Sequence, residues 1–523
     1  MPKIITAEEA AKLFKDEMTV AYGSMGLAGW AEEVARAVEK RFLETGHPRN
    51  LNVVQGCFAG DRKDRGIVRW GHEGLIKKWM GAVVGFSDEF SKLIEDNKIE
   101  AYCIPQGVIV NLWREIAAGR PGIITKVGLG TFIDPRVEGG KMNKAATEEK
   151  FKVIDFEGEE YLFFKSFPVD LAMIRGTVID ENGNLTLDSD GMFLEQLQVA
   201  QAAKNSGGIV IAQAEYLAKA GSLHPKNVKV PGILVDYIVI ATDKNACWQT
   251  EIEYYEPSFS GDIRVPLMSI PVMPLSAEKV IVRRAAMEMI PGAVINLGIG
   301  IAADVATIAN EEGISDLITL TTEAGVIGGV PAGGQNFGQA YNPEAIIEHN
   351  AMFDFYDGGG LDLAFLGFAQ SDEEGNINVS KFGKPMGPGG FINITQNSKR
   401  IVFAGTFTSG GLNVEIADGQ VKILQEGGRR KFKTLVDQIT FSGRYAREKG
   451  QYVLYITERC VFSLLPEGLT LIEIAPGIDL EKDILALMDF KPNISRDLKL
   501  MPPELFKETW GGLKGIMLAH HDK

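Results

Sequence analysis

A single repeated spacing constrains this chain more than any other feature. Asp170-Leu171-Ala172-Met173-Ile174 returns as Asp362-Leu363-Ala364-Phe365-Leu366, and Asp180-Glu181-Asn182-Gly183-Asn184-Leu185 returns as Asp372-Glu373-Glu374-Gly375-Asn376-Ile377, both 192 residues later. Ile209-Val210 and Ile401-Val402 keep that spacing without a gap. One offset held through three stretches marks an internal duplication, with a period of domain size rather than solenoid size. Upstream of these stretches each half carries a strand, a glycine loop and a helix. In the first half the strand Thr19-Val20-Ala21-Tyr22 leads through Gly23, Gly26 and Gly29 to a helix over 31–41. In the second, Ala293-Val294-Ile295-Asn296-Leu297 leads through Gly298 and Gly300 to a helix over 302–311. Such alternation predicts two duplicated α/β domains with mainly parallel sheets. Prolines gather at 257, 266, 271 and 274, and Ser276 follows as a candidate helix cap. The expected domains are 1–275 and 276–523, with a ligand cleft between them. A stretch at about 60–135 is expected in the first half alone.

A chain of 523 residues, 45% hydrophobic, is too long for one compact core and has the balance of an ordinary globular protein. Its net charge of -15 argues against nucleic-acid binding, which calls for a basic face. Anionic small molecules remain compatible, because clustered N–H groups can hold them. Cys57, Cys103, Cys247 and Cys460 show no CxxC and no zinc spacing, which suits a reducing compartment. The six histidines form no HExxH, so no metal site is expected. The N-terminus lacks the apolar core of a signal peptide, and no apolar run reaches membrane-span length. The expectation is a cytoplasmic protein without membrane contact.

Chemistry concentrates in Thr321-Thr322-Glu323-Ala324-Gly325-Val326, which follows an apolar run that reads as a buried strand. Glycines come next, at 325, 328, 329, 333, 334 and 338. They cost backbone entropy and let backbone approach a substrate closely. A lone acid in such a place is a candidate nucleophile for an acyl group. A solvent-facing strand-end carboxylate is the plainer alternative. A second alternative uses Gly298-Ile299-Gly300-Ile301-Ala302-Ala303 as a G-x-G-x-x-A dinucleotide fingerprint, with Glu323 on a ribose, in an NAD(P)-dependent oxidoreductase. Gly358-Gly359-Gly360, present only in the second half, reads either as a flexible turn or as bare backbone beside a ligand. Gly389 and Gly390 are candidate N–H donors to an oxyanion. Lys381, Lys384, Lys399 and Arg400 stand near in sequence as phosphate partners or as plain surface charge.

These second-half motifs together, with Gly328-Gly329-Val330-Pro331-Ala332-Gly333-Gly334 and Gly389-Gly390-Phe391-Ile392-Asn393, resemble the class I CoA-transferases. The likeness is strongest to the single-chain propionate/acetate type and runs from Ile4 to about Phe490. It implies a NagB/RpiA-like fold and transfer of CoA between an acyl-CoA and a short carboxylic acid of acetate, propionate or butyrate size. It implies Glu323 as the nucleophile, a glutamyl-CoA thioester and ping-pong kinetics. It implies Gly389 and Gly390 at the oxyanion, and Asn296, Gly298, Gly300, Gly358, Gly359 and Gly360 toward CoA. Gln106 would face the acyl group. No metal or cofactor beyond coenzyme A is implied, and the partners are small substrates in a homo-oligomer, dimer or tetramer. Trp30-Ala31 and the tracts 55–61 and 81–90 depart from the family pattern in the half that shapes the acid pocket. Trp30 is therefore a candidate for that pocket, with packing in the core as its commoner fate. Hydrolysis of the intermediate by water, and ligand sensing without catalysis, are the remaining alternatives.

Overall fold

The computed structural model describes residues 1–84, 87–266 and 272–521. Pro271, in the proline-rich join, and residues 85–86, in the tract 81–90, lie outside them. Two large sheets carry the chain. The first runs, in spatial order, Lys3–Ile4, Tyr237–Ile240, Ile209–Ala218, Leu171–Asp180, Thr19–Tyr22, Leu51–Gln55, Ile76–Gly81 and Glu100–Cys103. Every pairing along that path is parallel. The second sheet repeats the central order with Tyr452–Ile456, Arg400–Ala404, Leu363–Gly367, Val294–Leu297 and Thr319–Thr321, again all parallel.

The repeated aspartates hold equivalent places. Asp170 accepts the Thr19 N–H at 2.7 Å, and Asp362 accepts the Val294 N–H at 2.9 Å. Each ties the start of one central strand to its neighbour. The repeated Asp-Asn turns match as well. Asp180 accepts the backbone N–H of Asn184 at 2.9 Å and its side-chain amide at 3.0 Å; Asp372 does the same for Asn376, both at 3.0 Å. In each half the strand order reverses between these two central strands, which opens a crevice at their carboxyl ends.

The second half does not simply lack the material at about 60–135. Two-residue strands, Val326–Ile327 and Ala345–Ile346, fill the matching positions of its sheet and run antiparallel. After the outer strand of each half comes a helix, Gln106–Ala117 in the first and His349–Asp357 in the second. These two helices pack on each other across the join. One apolar cluster continues through it, from Tyr102, Val108 and Trp113 to Phe353, Phe391 and Phe403. Ser276 caps the helix Ala277–Ala286, accepting the Lys279 N–H at 3.2 Å. The helix expected over 302–311 divides into a 3-10 turn, Gly300–Asp304, and the α-helix Val305–Glu311.

Candidate active site

Glu323 stands at the tip of a tight turn. Strand Thr319–Thr321 pairs antiparallel with Val326–Ile327, and the Gly325 N–H closes the turn on the Thr322 carbonyl at 3.2 Å. Gly325 has φ +105, and any Cβ there would strike the Ile347 carbonyl, so glycine is required. The turn swings the Glu323 side chain into a cavity of about 260 Å³ between the halves, where the residue is 8% exposed.

One wall of this cavity is formed by the carboxyl ends of central second-half strands, at Gly298, Leu366 and Gly367, and by 386–391. Asn296 joins that wall and donates to the Tyr356 hydroxyl at 3.2 Å. The opposing wall includes Met25, Cys57, Phe58 and Met192 from the first half, with Phe337 from the second. Arg62 and Glu251 also line the cavity and pair at 2.9 Å.

Gly390 packs directly on the nucleophile candidate: a Cβ there would overlap a Glu323 carboxylate oxygen. Its N–H has no protein acceptor among the described residues. The Gly389 N–H, by contrast, donates to the Ala82 carbonyl at 3.2 Å, so the expected pair of free donors reduces to one. Gln106 is fully buried and acts to lower the Glu323 carboxyl's proton affinity. Burial is the largest influence and pushes the carboxyl above the usual carboxylate range; His349 and Gln106 act against it.

Several expectations need correction. Gly358, Gly359 and Gly360 do not line this cavity. They end the helix His349–Asp357 and donate to the carbonyls of Asp354, Tyr356 and Phe355, at the amino end of strand Leu363–Gly367. Glu323 lies beyond the carboxyl end of a strand in the same parallel set, so the two sit at opposite edges of the sheet. Gly300, at φ +84, lies two residues past the lining residue Gly298. Trp30 is not in the acid pocket. It is fully buried between Tyr22 and Trp70, with ring centroids 4.6 and 5.6 Å away, and donates to Glu32 at 2.8 Å. Lys384 and Lys399 are taken by Asp88 and Asp362 at 2.6 and 2.8 Å, and Arg400 lies over the Tyr452 ring. Among the described residues no group of three or more metal-ligating side chains occurs, and no helix is long and apolar enough to cross a membrane.

Two residues at this site carried no motif. Glu195 and His349 are both buried beside Gln106, joined at 2.7 Å. Their signal was positional: Gln106 and His349 each open the helix that follows the outer strand of a duplicated half.

Known proteins place this arrangement. Residues 4–241 match the family described as Coenzyme A transferase. The chain is 58% identical over 523 residues to the caffeate CoA-transferase of Acetobacterium woodii, covering 99% of this chain and 100% of that one. It is 45% identical over 522 residues to the acetate CoA-transferase YdiF of Escherichia coli K12, covering 99% and 97%. The structure of the acyl-CoA transferase YdiF from Escherichia coli O157:H7, as a thioester complex with CoA, aligns with a TM-score of 0.91 and 43% identity over 98% of this chain and 97% of that one. A duplicated α/β chain that matches these enzymes from end to end belongs to the coenzyme A transferase family and is a CoA-transferase.

Proposed function

We propose that Glu323 is the group that carries CoA between two acids. The observation that supports this most is its placement: a buried carboxylate facing a ligand-sized cavity, with an unused backbone N–H at Gly390 against it. The ionised carboxylate attacks the thioester carbonyl of an acyl-CoA. The tetrahedral oxyanion collapses, expels CoA thiolate and leaves a mixed acyl–glutamyl anhydride. The thiolate then attacks the glutamyl carbonyl, the free acid departs and glutamyl-CoA thioester remains. An acceptor carboxylate reverses both steps. One N–H donor aimed at such an oxyanion contributes about 3 kcal/mol. Asn296 and Gly298 line the wall read here as the CoA side. The duplicated halves meet near 275 in this reading, so the nucleophile and the opposing wall come from different halves.

The acid side supports a substrate wider than acetate. Met25, Cys57, Phe58, Met192 and Phe337 offer a polarisable, apolar surface that suits a flat ring or chain. Burial and the nearby Glu323 charge hold the Cys57 thiol in its neutral form, so it acts as a small apolar group there. We read the acid pair as one short acid and one larger, flat carboxylic acid of the arylpropenoic class, in line with the name of the 58% identical relative. Four buried, unpaired thiols suit the cytoplasm as the compartment. The assembly is read as a homo-oligomer.

One experiment tests the reaction and the acid class. The enzyme is mixed with acetyl-CoA without acceptor, and its intact mass is recorded. A CoA adduct is expected on the peptide holding Glu323, and none in Glu323→Gln. The loaded enzyme is then challenged with acetate, butyrate or an arylpropenoate, and discharge is timed. Native-rate transfer by Glu323→Gln would remove the nucleophile assignment. Discharge by short acids alone would remove the aryl acid while leaving the nucleophile in place.

A further inference from the structure

The proposed chemistry uses Glu323 and Gly390, but leaves unexplained why Gln106, a second carboxylate and an imidazole are fully buried behind them. The Glu195 and His349 side chains are both 0% exposed. His349 Nδ1 lies 2.7 Å from Glu195 Oε2, and His349 Nε2 lies 2.9 Å from Gln106 Nε2. The fold makes room for this. A Cβ at Gly23 would come within 3.0 Å of the Glu195 side chain, and one at Gly56 would overlap its Oε1. Burying an ionisable pair is costly, and here Glu195 Oε1 has no hydrogen-bond partner among the described residues, so only Oε2 is compensated.

The contacts are directional. A carboxylate accepts, so Glu195 fixes a proton on His349 Nδ1. When the ring is neutral Nε2 is then an acceptor, and the Gln106 amide nitrogen lies 2.9 Å from it. The amide is thereby held with its NH₂ end toward the imidazole and beside Glu323. Gln106 Oε1 has no hydrogen-bond partner among the described residues and lies 3.4 Å from where a Gly389 side chain would begin. Gln106 belongs to the first half and Glu323 to the second; Glu195 and His349 are divided in the same way. Gln106 and His349, the opening residues of the two equivalent helices, therefore bond to each other across the join.

We propose that Glu195 and His349 are positioning residues that hold the Gln106 amide in the orientation that donates to Glu323. The inference rests on Glu323 being the nucleophile. Without the imidazole acceptor the amide is free to turn, and its oxygen then faces a carboxylate. The consequence is a nucleophile harder to ionise. Other titratable groups around Glu323 are the Cys57 thiol and the Tyr356 hydroxyl, both kept neutral by burial, and Glu251, which is paired with Arg62.

The test uses full-length His349→Phe, Glu195→Leu, which leaves Nδ1 without an acceptor, and Gln106→Leu, with His349→Gln as the conservative variant. Measured are the pH profile of kcat/KM for the acyl-CoA, the KM for that substrate and the melting temperature. Expected is an upward move of the acid limb by about one pH unit in the first three, which is about tenfold less activity below the limb. KM should stay within about twofold, and His349→Gln, whose amide oxygen can accept, should return the limb toward wild type. Lower melting temperature with an unmoved limb would make the cluster mere packing and overturn the proposal. Should His349→Phe fail to fold, Glu195→Leu and Gln106→Leu decide by the same limb. The adduct experiment separates this outcome: a CoA adduct on the wild-type Glu323 peptide, absent in Glu323→Gln, together with an unmoved limb rejects the positioning role alone.

Discussion

At Gly390 a single hydrogen atom is all the side chain the site tolerates. A methyl group there overlaps the Glu323 carboxylate oxygen and comes within 3.1 Å of the Phe353 ring. Gly390→Ala should therefore push the proposed nucleophile off line and displace the N–H proposed to face the oxyanion. A loss of about a hundredfold or more in single-turnover thioester formation is expected. Affinity for free CoA, whose nucleotide lies far from the reacting carbon, should change little. Near-native turnover by Gly390→Ala would show that this N–H does not serve the reaction. The residue scale was also the most uneven to read from sequence. The placement of Glu323 against a cavity was legible, because a charged group after a buried strand and before a glycine run marks a place where backbone can approach a ligand. Trp30 was not, since an indole near a glycine loop can face ligand or core, and its choice depends on Tyr22, Trp70 and Glu32, residues that only the fold assembles. Gly389 differs from Gly390 for a similar reason: its N–H is committed to Ala82, more than three hundred residues earlier in the chain.

Between elements, the helix His349–Asp357 presents its last residue to the helix Phe391–Asn397. The Asp357 carboxylate accepts from the Asn393 side-chain amide at 3.0 and 3.1 Å and from Asn397 at 3.3 Å. Asn393 in turn accepts the Gly107 N–H at 3.1 Å, joining this corner to the first half. Burial outweighs these bonds and pushes the Asp357 carboxyl up to about 7. The folded state thus prefers the protonated acid, while the unfolded chain keeps a normal carboxyl. This group's contribution is fully present below about 4 and is lost as pH rises through about 7. Asp357→Asn, neutral throughout, should lose less stability than wild type between pH 4 and 8, by an amount on the order of a few kcal/mol. Urea midpoints of both proteins across that range provide the check; parallel curves would mean that Asp357 stays ionised in the fold. At this scale the strand–loop–helix grammar of each half was readable from hydrophobic runs and glycines. The antiparallel pair Val326–Ile327 and Ala345–Ile346 was not, because two-residue strands carry no period and are set by their neighbours.

For the molecule as a whole, duplication did not produce two independent units. The apolar cluster crosses the join, and backbone bonds cross with it: Val84 to Met386 at 2.9 Å, Phe132 to Ile439 at 2.7 Å, His349 to Leu194 at 3.2 Å. The repeat offset announced two halves, but gave no information on which faces meet, because contacting surfaces leave no spacing in a sequence. The active site shows why the contact matters. Glu323, His349 and Gly390 come from one half and Gln106, Glu195 and most of the acid-side wall from the other, so neither half holds a complete site. A chain divided between Leu275 and Ser276 keeps the helix cap with its helix and cuts no strand of either sheet. Expressed alone, residues 1–275 should expose the face of the helix Gln106–Ala117 that now packs on His349–Asp357, and collect in the insoluble fraction without activity. Expressed together, the two pieces should recover a soluble complex that forms the glutamyl-CoA adduct, since burial of the shared core drives the association. Mixing Glu195→Leu in one piece with His349→Phe in the other should then cost little more than either change alone, because two members of one chain of contacts fail together. Fully multiplicative losses in that pairing would show that the halves meet at the site as separate contributors rather than through a single connected cluster.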